Sequence, residues 1–568
     1  MTESYWLLDL TIDTQTVRLA EVPLDVTTID GMVLHYEAGV AVEPVTEAIS
    51  LLGASVSVPE AQLTVYLPGV SALAILRATG SLSRWAEGTV YERRRVVIVG
   101  ALQSPVQSGP EEGIETTLSQ DVWIDPGAMI GRPQIVSDAT WSTLATVTDG
   151  DGDIAYPTVI GLAGRVESSL SMPALVAPRI DATLGQPAAI VPNWNGAAYL
   201  LAGHHLAATW CKLSTETDIA GKKCRVLNTF DDQGQPVAVA PWYWSAVVTA
   251  TGLTPVPEVL AYSAANTYTF VSGSNYGVGA DALPDAYNVD AAQPAVYAAI
   301  EEGGGLVWDG EVLRRAGDVL GWALARSGVS ADRIQIVGSL PALQAYLIDT
   351  VIAERVSPWD WITQVLLPIL PCCMAAGPDG LFIVPLLLDA TEADVEARID
   401  TSRPDVARVS GPEWDTSHLA GTVTVYYSYD VRRSVYARRV VYGSSAAAAA
   451  DSTGETIAHA TLTAGASLRA ARADLEVSTA AIGDLATAHL VASTLARVWG
   501  LPIGTMIFDL PEADPRFSAL RRGSIVYVAD EDTGIGRIAQ VSDIVTGGDS
   551  SLVVSVWLLL DPTRDTLT

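Results

Sequence analysis

Lysine is almost missing from this 568-residue chain: Lys212, Lys222 and Lys223 are the only three, and every other cationic side chain is arginine. With 65 carboxylates against 33 cationic residues the formal net charge is −32. Such a chain repels a phosphate backbone, because nucleic-acid binding relies on basic groups that release counterions. Two uses of acidity remain open: plain solubility, and a surface past which nucleic acid moves without sticking. Cysteine is scarce as well. Cys211, Cys224, Cys372 and Cys373 form no C-x-x-C pair, and neighbours on a strand point to opposite faces, so Cys372 and Cys373 cannot easily close on each other. Reduced structural thiols are the expectation. No apolar run approaches a membrane span, and no basic residue precedes Arg18. Neither a transmembrane segment nor a secretory leader is therefore expected, and folding in a cytoplasm is.

Catalytic signatures are missing too. There is no Gly-x-Ser-x-Gly elbow, since Gly273-Ser-Asn-Tyr-Gly277 has the wrong register, and no P-loop or His-Glu-x-x-His. Gly303-Gly-Gly305 reads as a hinge. Asp149-Gly-Asp-Gly-Asp153 begins like a calcium loop, but Ile154 stands where glycine is needed and Ile160 where the bidentate glutamate is needed, so it reads as an acidic turn. His204-His205 followed by Cys211 and Cys224 is the best metal candidate. Its spacing matches no zinc pattern, and adjacent histidines on a strand diverge. An iron–sulfur site would need all four cysteines to meet in space. The expected catalytic, cofactor and metal residues are none, with metal binding by those cysteines or by His204 and His205 left open. His489 falls on the apolar face of a helix, as a packed core residue does.

What is present is a globular composition, 49% apolar, in a chain too long for one core, so three to five domains are expected. Residues 1–120 alternate like strands, in Trp6–Ile12, Thr16–Ala20, Ala54–Val58, Gln62–Tyr66, Arg93–Gly100 and Ile114–Leu118, with one helical interruption at Val70–Thr79. Residues 121–289 stay β-rich but irregular. Within 290–415 the periodicity turns helical at Val312–Ala325, Pro341–Ala353 and Pro358–Leu370. Residues 416–568 return to strand at Thr422–Tyr429 and Tyr436–Val441. An alanine-rich loop, Gly443–Gly454, and a helix capped by Asp484 follow. The end is β again, at Thr505–Leu510, Gly523–Ala529, Arg537–Val545 and Leu552–Leu560, with hairpin turns at Thr533-Gly534 and Gly547–Asp549. The fold class is α+β, mostly β.

The chain is organised around Ser357–Pro385. Ser357 suits the N-cap, Pro358 the first helical position, and Asp360 the far end of a capping box. Trp361, Val365 and Ile369, beside Ile362, Leu366 and Leu370, make the helix apolar over most of its circumference, and Pro368 and Pro371 stop it. Two strands then flank Gly377-Pro-Asp-Gly380, a hairpin turn. Trp359 and Trp361 are the expected anchors between this unit and the flanking β domains. The pairs Arg314-Arg315, Arg432-Arg433, Arg438-Arg439 and Arg521-Arg522 are the few concentrated positive features. They suit ion pairing within an acidic protein or, with their bidentate forks, bridging between subunits.

Several segments together resemble the baseplate hub, or tail-tip hub, proteins of long-tailed bacteriophages: Leu82–Gly100; Tyr156-Pro-Thr-Val-Ile-Gly161 with Leu200–His204; Ser357–Leu381; and Arg497-Val-Trp-Gly-Leu-Pro502 with Leu520-Arg-Arg-Gly-Ser-Ile-Val-Tyr-Val528. The match is a diffuse architecture over most of the chain. It implies a homotrimer whose two tail-tube-like antiparallel β-barrel domains per subunit ring a channel, adapting a sixfold tail tube to threefold tip components. The implied partners are the distal tail protein and tail tube, the tape measure protein, and tail fibre or tip proteins. The implied location is the tip of a virion assembled in the host cytoplasm, with the genome leaving through the lumen. No catalytic residue is implied, and no cell-wall-cleaving extension is visible. The acidic balance would then line the bore. The alternatives are a tail-borne cell-wall hydrolase and a host-glycan recognition module, for which Trp242-Tyr-Trp244 could offer a platform.

Overall fold

The computed structural model describes residues 3–49, 56–107, 113–130, 306–308, 311–336, 341–430, 435–443, 474–546 and 551–559 apart from a few single positions, together with 154–161 and the backbone of short strands between 200 and 302 and at 456–460.

The first sheet has nine strands, in the order Leu24–Thr27, Val33–Ala38, Gln15–Ala20, Ser4–Ile12, Thr79–Ala86, Arg95–Val106, Ile114–Gln120, Glu60–Val65, Val40–Val42. Its strands follow the period-two rule. Trp6, Leu8 and Leu10 enter one core with Leu82, Ile98 and Leu118, while Leu7 turns the other way, against Trp85 and Tyr36. On that second face Asp9 accepts hydrogen bonds from Tyr36 Oη (2.9 Å) and Tyr91 Oη (2.8 Å). The segment 33–42 pairs with Gln15–Ala20 through its first half and with Glu60–Val65 through its second. Between the halves, Gly39 donates to the Ala20 carbonyl and accepts from Tyr66 N–H. A Cβ there would lie 2.9 Å from Leu19 Cδ2 and 3.0 Å from the Tyr66 carbonyl, so a larger residue would have to push Leu19 aside and crowd that carbonyl. None of the described sheets closes into a complete barrel; this one curls until a single segment touches both of its sides.

The last sheet runs Ala397–Asp400, Ile525–Asp530, Ile535–Thr546, Ser551–Leu559, Ile503–Pro511, Ala407–Asp415. Met506, Phe508 and Leu510 alternate into its core with Val526, Val528, Val554 and Val556. Arg408, at one edge, reaches Asp530 at 2.9 Å. Sheet membership does not follow chain order. Val45–Ala48, from the N-terminal region, pairs antiparallel with Ile535–Thr546, and Val56–Ser57 lies parallel to Cys372–Gly377. The strands Ala397–Asp400 and Ala407–Asp415 join this last sheet across the position where a third domain would end.

The middle of the molecule shares one core. It is built from the helix Ala316–Arg326, the helical run from Pro358, the hairpin Cys372–Gly377 and Gly380–Pro385, the strands Val423–Asp430 and Val435–Gly443, and the helix Leu485–Trp499. Trp322, Trp361, Met374, Ile383, Tyr427 and Val491 all meet there. Asp484 caps the last helix as its sequence predicts, accepting from Thr487 N–H at 2.9 Å. Two helices depart from expectation. The second is short: Pro341–Gln344 is helical, and Thr350–Glu354 is instead a strand paired with Ile154–Ile160, where Val351 and Ile352 suit a pleated surface. The third does not stop before Pro368. It is α-helical over Pro358–Trp361, widens to a π-helix over Ile362–Leu366, and tightens to a 3-10 turn over Leu367–Ile369. Pro368 lacks an N–H and its ring would meet the carbonyl of Gln364 in a regular α-helix; the change of pitch carries the chain past it.

Between 200 and 302 the backbone forms two small sheets, one of Leu200–Ala202, Lys222–Asn228, Trp210–Thr215 and Val296–Glu302 with Val247–Val248, the other of Trp242–Ser245, Glu258–Tyr262 and Tyr268–Val271. The turn at Asp149–Asp153, the glycines Gly273–Gly277 and Gly303–Gly305, and the alanine-rich loop after Gly443 lie outside the described residues. Among the described residues no helix is long and apolar enough to cross a membrane.

Candidate functional site

Among the described residues a network of buried charged side chains lies at the seam where the first sheet, the Ser357–Pro385 unit and the last sheet meet. Arg84 lies on Thr79–Ala86 with its side chain 1% exposed. Its guanidinium sits over the Trp6 ring, 4.9 Å from the centroid, and its Nε donates to Glu512 at 3.3 Å across 428 residues of sequence. Burial pushes the Glu512 carboxyl above its ordinary range, against the pull of Arg84 and Arg95. Arg95, on the next strand, holds Glu47 at 2.7 Å. Glu47 belongs to Val45–Ala48, the strand that has crossed into the last sheet.

Arg522 completes the lock. It is buried, 3.7 Å from Glu47, and donates to the Ala48 carbonyl at 3.2 Å and to the Ala376 carbonyl in the hairpin. Burial opposes its charge, and Glu47 supports it. One guanidinium thus ties three distant segments together. Gly523, at φ +85°, passes so close to the hairpin that a Cβ would meet Val384 Cγ1 at 2.1 Å. Gln540 donates to the Pro385 carbonyl at 2.8 Å from the same sheet.

The hairpin is positioned by its glycines. Gly377 and Gly380 are register partners around Pro378-Asp379. Gly380 has φ +136°, and a Cβ on it would fall 1.9 Å from the Arg333 carbonyl, next to the parallel strand Ile334–Ile336. Successive side chains part as expected. Cys372, Met374 and Ala376 face the central core, whereas Cys373, Ala375, Phe382 and Val384 pack with Ile49, Trp557 and Leu386 toward the last sheet. The Cys373 thiol is pushed up to about 12 and Cys372 is also raised, both mainly by burial. They are free, inert thiols in the described structure.

At the helix start the N-cap half of the expected capping box is formed. Ser357 Oγ accepts from Asp360 N–H at 3.4 Å, Pro358 is buried in the first turn, Asp360 is exposed and Trp359 is half-buried. Trp361 is 5% exposed and meets Trp322 edge-on, with centroids 6.3 Å apart. Both tryptophans pack into the central core, so contact with the last sheet comes from the outer face of the hairpin. The arginine pairs separate. Arg522 is consumed within the chain, Arg521 lies over the Phe382 ring at 5.6 Å, and Arg439 lies 6.0 Å from the Tyr426 centroid beside Arg438 on the same strand. Arg314 forks onto Asp349 with two bonds of 2.8 Å. Arg432 and Arg433 lie outside the described residues, as do His204 and His205. Backbone register sets Cys211 directly opposite Cys224. Among the described residues no group of three or more histidine, cysteine or carboxylate side chains could hold a metal.

Two clefts open on the seam. One, of about 400 Å³, is lined by Arg93, Arg94, Arg95 and Arg521 with Phe382 and Pro378. The other, of about 350 Å³, is lined by Arg84, Arg93, Arg95, Glu512 and Ser518. Neither is legible in sequence, where Arg93-Arg-Arg95 reads only as the start of a strand and the partners Glu47 and Glu512 are distant along the chain.

No family model matches the chain. No curated protein matches it. Among solved structures it is similar to a 43 kDa tail protein of prophage MuSo2 from Shewanella oneidensis, at 9% identity over 98% of this chain and 99% of that one, with a TM-score of 0.34. It is also similar to a tail protein from Neisseria meningitidis MC58, at 10% identity over 97% and 96% and a TM-score of 0.32. A third is prophage tail protein gp18 from Listeria monocytogenes EGD-e, at 10% identity over 67% and 94% and a TM-score of 0.25.

Proposed function

We propose that this chain is a structural component of a phage tail, the hub of a tail tip or baseplate, acting as a homotrimer around the channel through which the genome leaves. The observation that carries the reading is the seam. Strand Val45–Ala48 is exchanged into the last sheet, and Arg84–Glu512, Arg95–Glu47 and Arg522 fasten the first and last sheets to one central unit. Such an assembly resists relative movement of its β domains, which is what a joint in a tube requires and what an enzyme that closes on a substrate does not. The first and last sheets are the parts that the hub resemblance assigns to two tube-like barrels, three pairs of which would make a pseudo-sixfold ring. Acidic walls would let DNA slide through such a ring without binding.

Electron cryomicroscopy of the purified full chain tests this. A threefold ring with the first and last sheets around an acidic bore is the expected result; a monomer, or a ring with a basic bore, overturns it. Incubation with peptidoglycan gives an independent check, because release of soluble fragments contradicts a purely structural role.

A further inference from the structure

We infer that the arginine-lined seam is a binding site for a compact oxyanion, a carboxylate or phosphate group, seated against Arg84, Arg93 and Arg95. In a chain of net charge −32, the two clefts together gather six arginines, residues 84, 93, 94, 95, 521 and 522, against three carboxylates, Glu47, Asp379 and Glu512. The clefts share Arg93, Arg95 and Ser518, so they adjoin.

Its deepest cation is the informative one. Arg84 is 1% exposed, yet only its Nε has a hydrogen-bond acceptor; both terminal nitrogens are buried without one among the described residues, with Nη1 3.9 Å from Glu21. Arg95 repeats the pattern, with Nη2 on Glu47 and Nη1 buried without an acceptor. A buried guanidinium that leaves donors unused is costly unless something accepts from them. Glu512 engages Arg84 through one oxygen and only at Nε, so it leaves both terminal nitrogens of that fork open. The planar fork of arginine matches two oxygens of a carboxylate or phosphate, and a compact oxyanion fits a cleft of about 350 Å³. Arg93 is exposed at the mouth shared by both clefts and forms the entrance.

The group can arrive as a free anion or as an acidic side chain of a second copy of this chain, itself strongly acidic. The inference stands without the tail reading; only the second source touches it. Two arms separate the sources, both on the full chain. In the first, inorganic phosphate is titrated at constant ionic strength by calorimetry into wild type and Arg93→Gln. A free-anion site gives saturable binding with a millimolar or tighter dissociation constant, weakened about tenfold or more by the substitution. In the second, isotopically light and heavy copies of Arg93→Lys are mixed and treated with a carbodiimide, which joins an amine to a carboxylate. An intercopy link at position 93 identifies an acidic side chain of the second copy. The absence of both saturable phosphate binding and an intercopy link, or phosphate binding indifferent to Arg93→Gln, overturns the inference. Circular dichroism and the Arg93→Lys variant, which keeps the charge, control for misfolding.

Discussion

Arg522→Met removes a side chain that touches the crossed strand, the hairpin and the last sheet, while leaving an unbranched side chain of similar length in its place. The carbonyls of Ala48 and Ala376 lose this donor, and Glu47 loses one of its two cations. Glu47 is the least affected, because Arg95 holds it at 2.7 Å while Arg522 stands off at 3.7 Å. The loss therefore comes chiefly from two unsatisfied carbonyls and lies at the lower end of the range for breaking a buried charged contact, about 3 kcal/mol. For a cooperative unit of about 150–250 residues that corresponds to a fall in Tm of roughly 6–12 °C, and to about 2–3 °C when the whole chain melts as one. The assay is urea unfolding followed by tryptophan fluorescence, since Trp557 packs on the hairpin cluster beside the substitution. Limited proteolysis should in parallel show earlier cleavage between the first sheet and the hairpin. Arg521→Met, at the exposed neighbour, serves as control and should change stability by well under 1 kcal/mol. A loss below about 1 kcal/mol for Arg522→Met would show that the seam is held by its apolar cluster and that the guanidinium is incidental.

Trp361→Ala empties a core position that is 5% exposed and deprives Trp322 of its edge-to-face partner, so the expected cost is about 3–5 kcal/mol in denaturant unfolding; normal stability and assembly of the variant would make this helix peripheral. Glu512 gives a pH test. Its folded carboxyl is raised above the usual 4.5, so in the interval between the two values the folded chain holds a proton that the unfolded chain has lost. The corresponding stability is fully present below 4.5 and disappears as pH rises through the raised value. Glu512→Gln should therefore gain stability relative to wild type as pH is raised from about 4.5 toward neutrality, measured as the difference between paired melts; a difference that shrinks over that interval contradicts the assigned direction.

Strands were the most legible part of this chain, for a physical reason. Trp6–Ile12, Arg537–Val545 and Leu552–Leu560 alternate because each has one face on a core, and the observed strands Ser4–Ile12, Ile535–Thr546 and Ser551–Leu559 coincide with them closely. The Asp484 cap and the two-residue turn at Pro378-Asp379 were equally readable, since each depends on a local contact of a few residues. A capping box at Thr391, closed by Asp394, carries the same Thr-x-x-acid signature but introduces only a 3-10 turn, too short to show periodicity. What could not be read is everything set by distant partners. Residues 45–48 look like any short alternating run, and nothing local says that they pair with 543–546 rather than with their neighbours. Likewise Arg84 and Glu512 are one buried pair in space and two unrelated residues in sequence.

That distinction also relocates the joint. Tryptophan content made the helix at Ser357 look like the connection between domains, because large aromatic side chains supply most burial energy. Trp361 does supply it, but to the central core. Contact with the last sheet belongs to the alternate residues of the hairpin, Cys373, Ala375, Phe382 and Val384, and to the backbone carbonyls that Arg522 and Gln540 cap. A strand presents two faces at once, which a helix stripe does not, so the hairpin can belong to two cores while the helix belongs to one. The glycines at 380 and 523 follow from the same demand: where three backbones converge on one hairpin, there is no room for a Cβ. Contact between the hairpin and the last sheet therefore rests on a few positions where the chain is closely approached from both sides, and the apolar helix packs behind the hairpin in the central core.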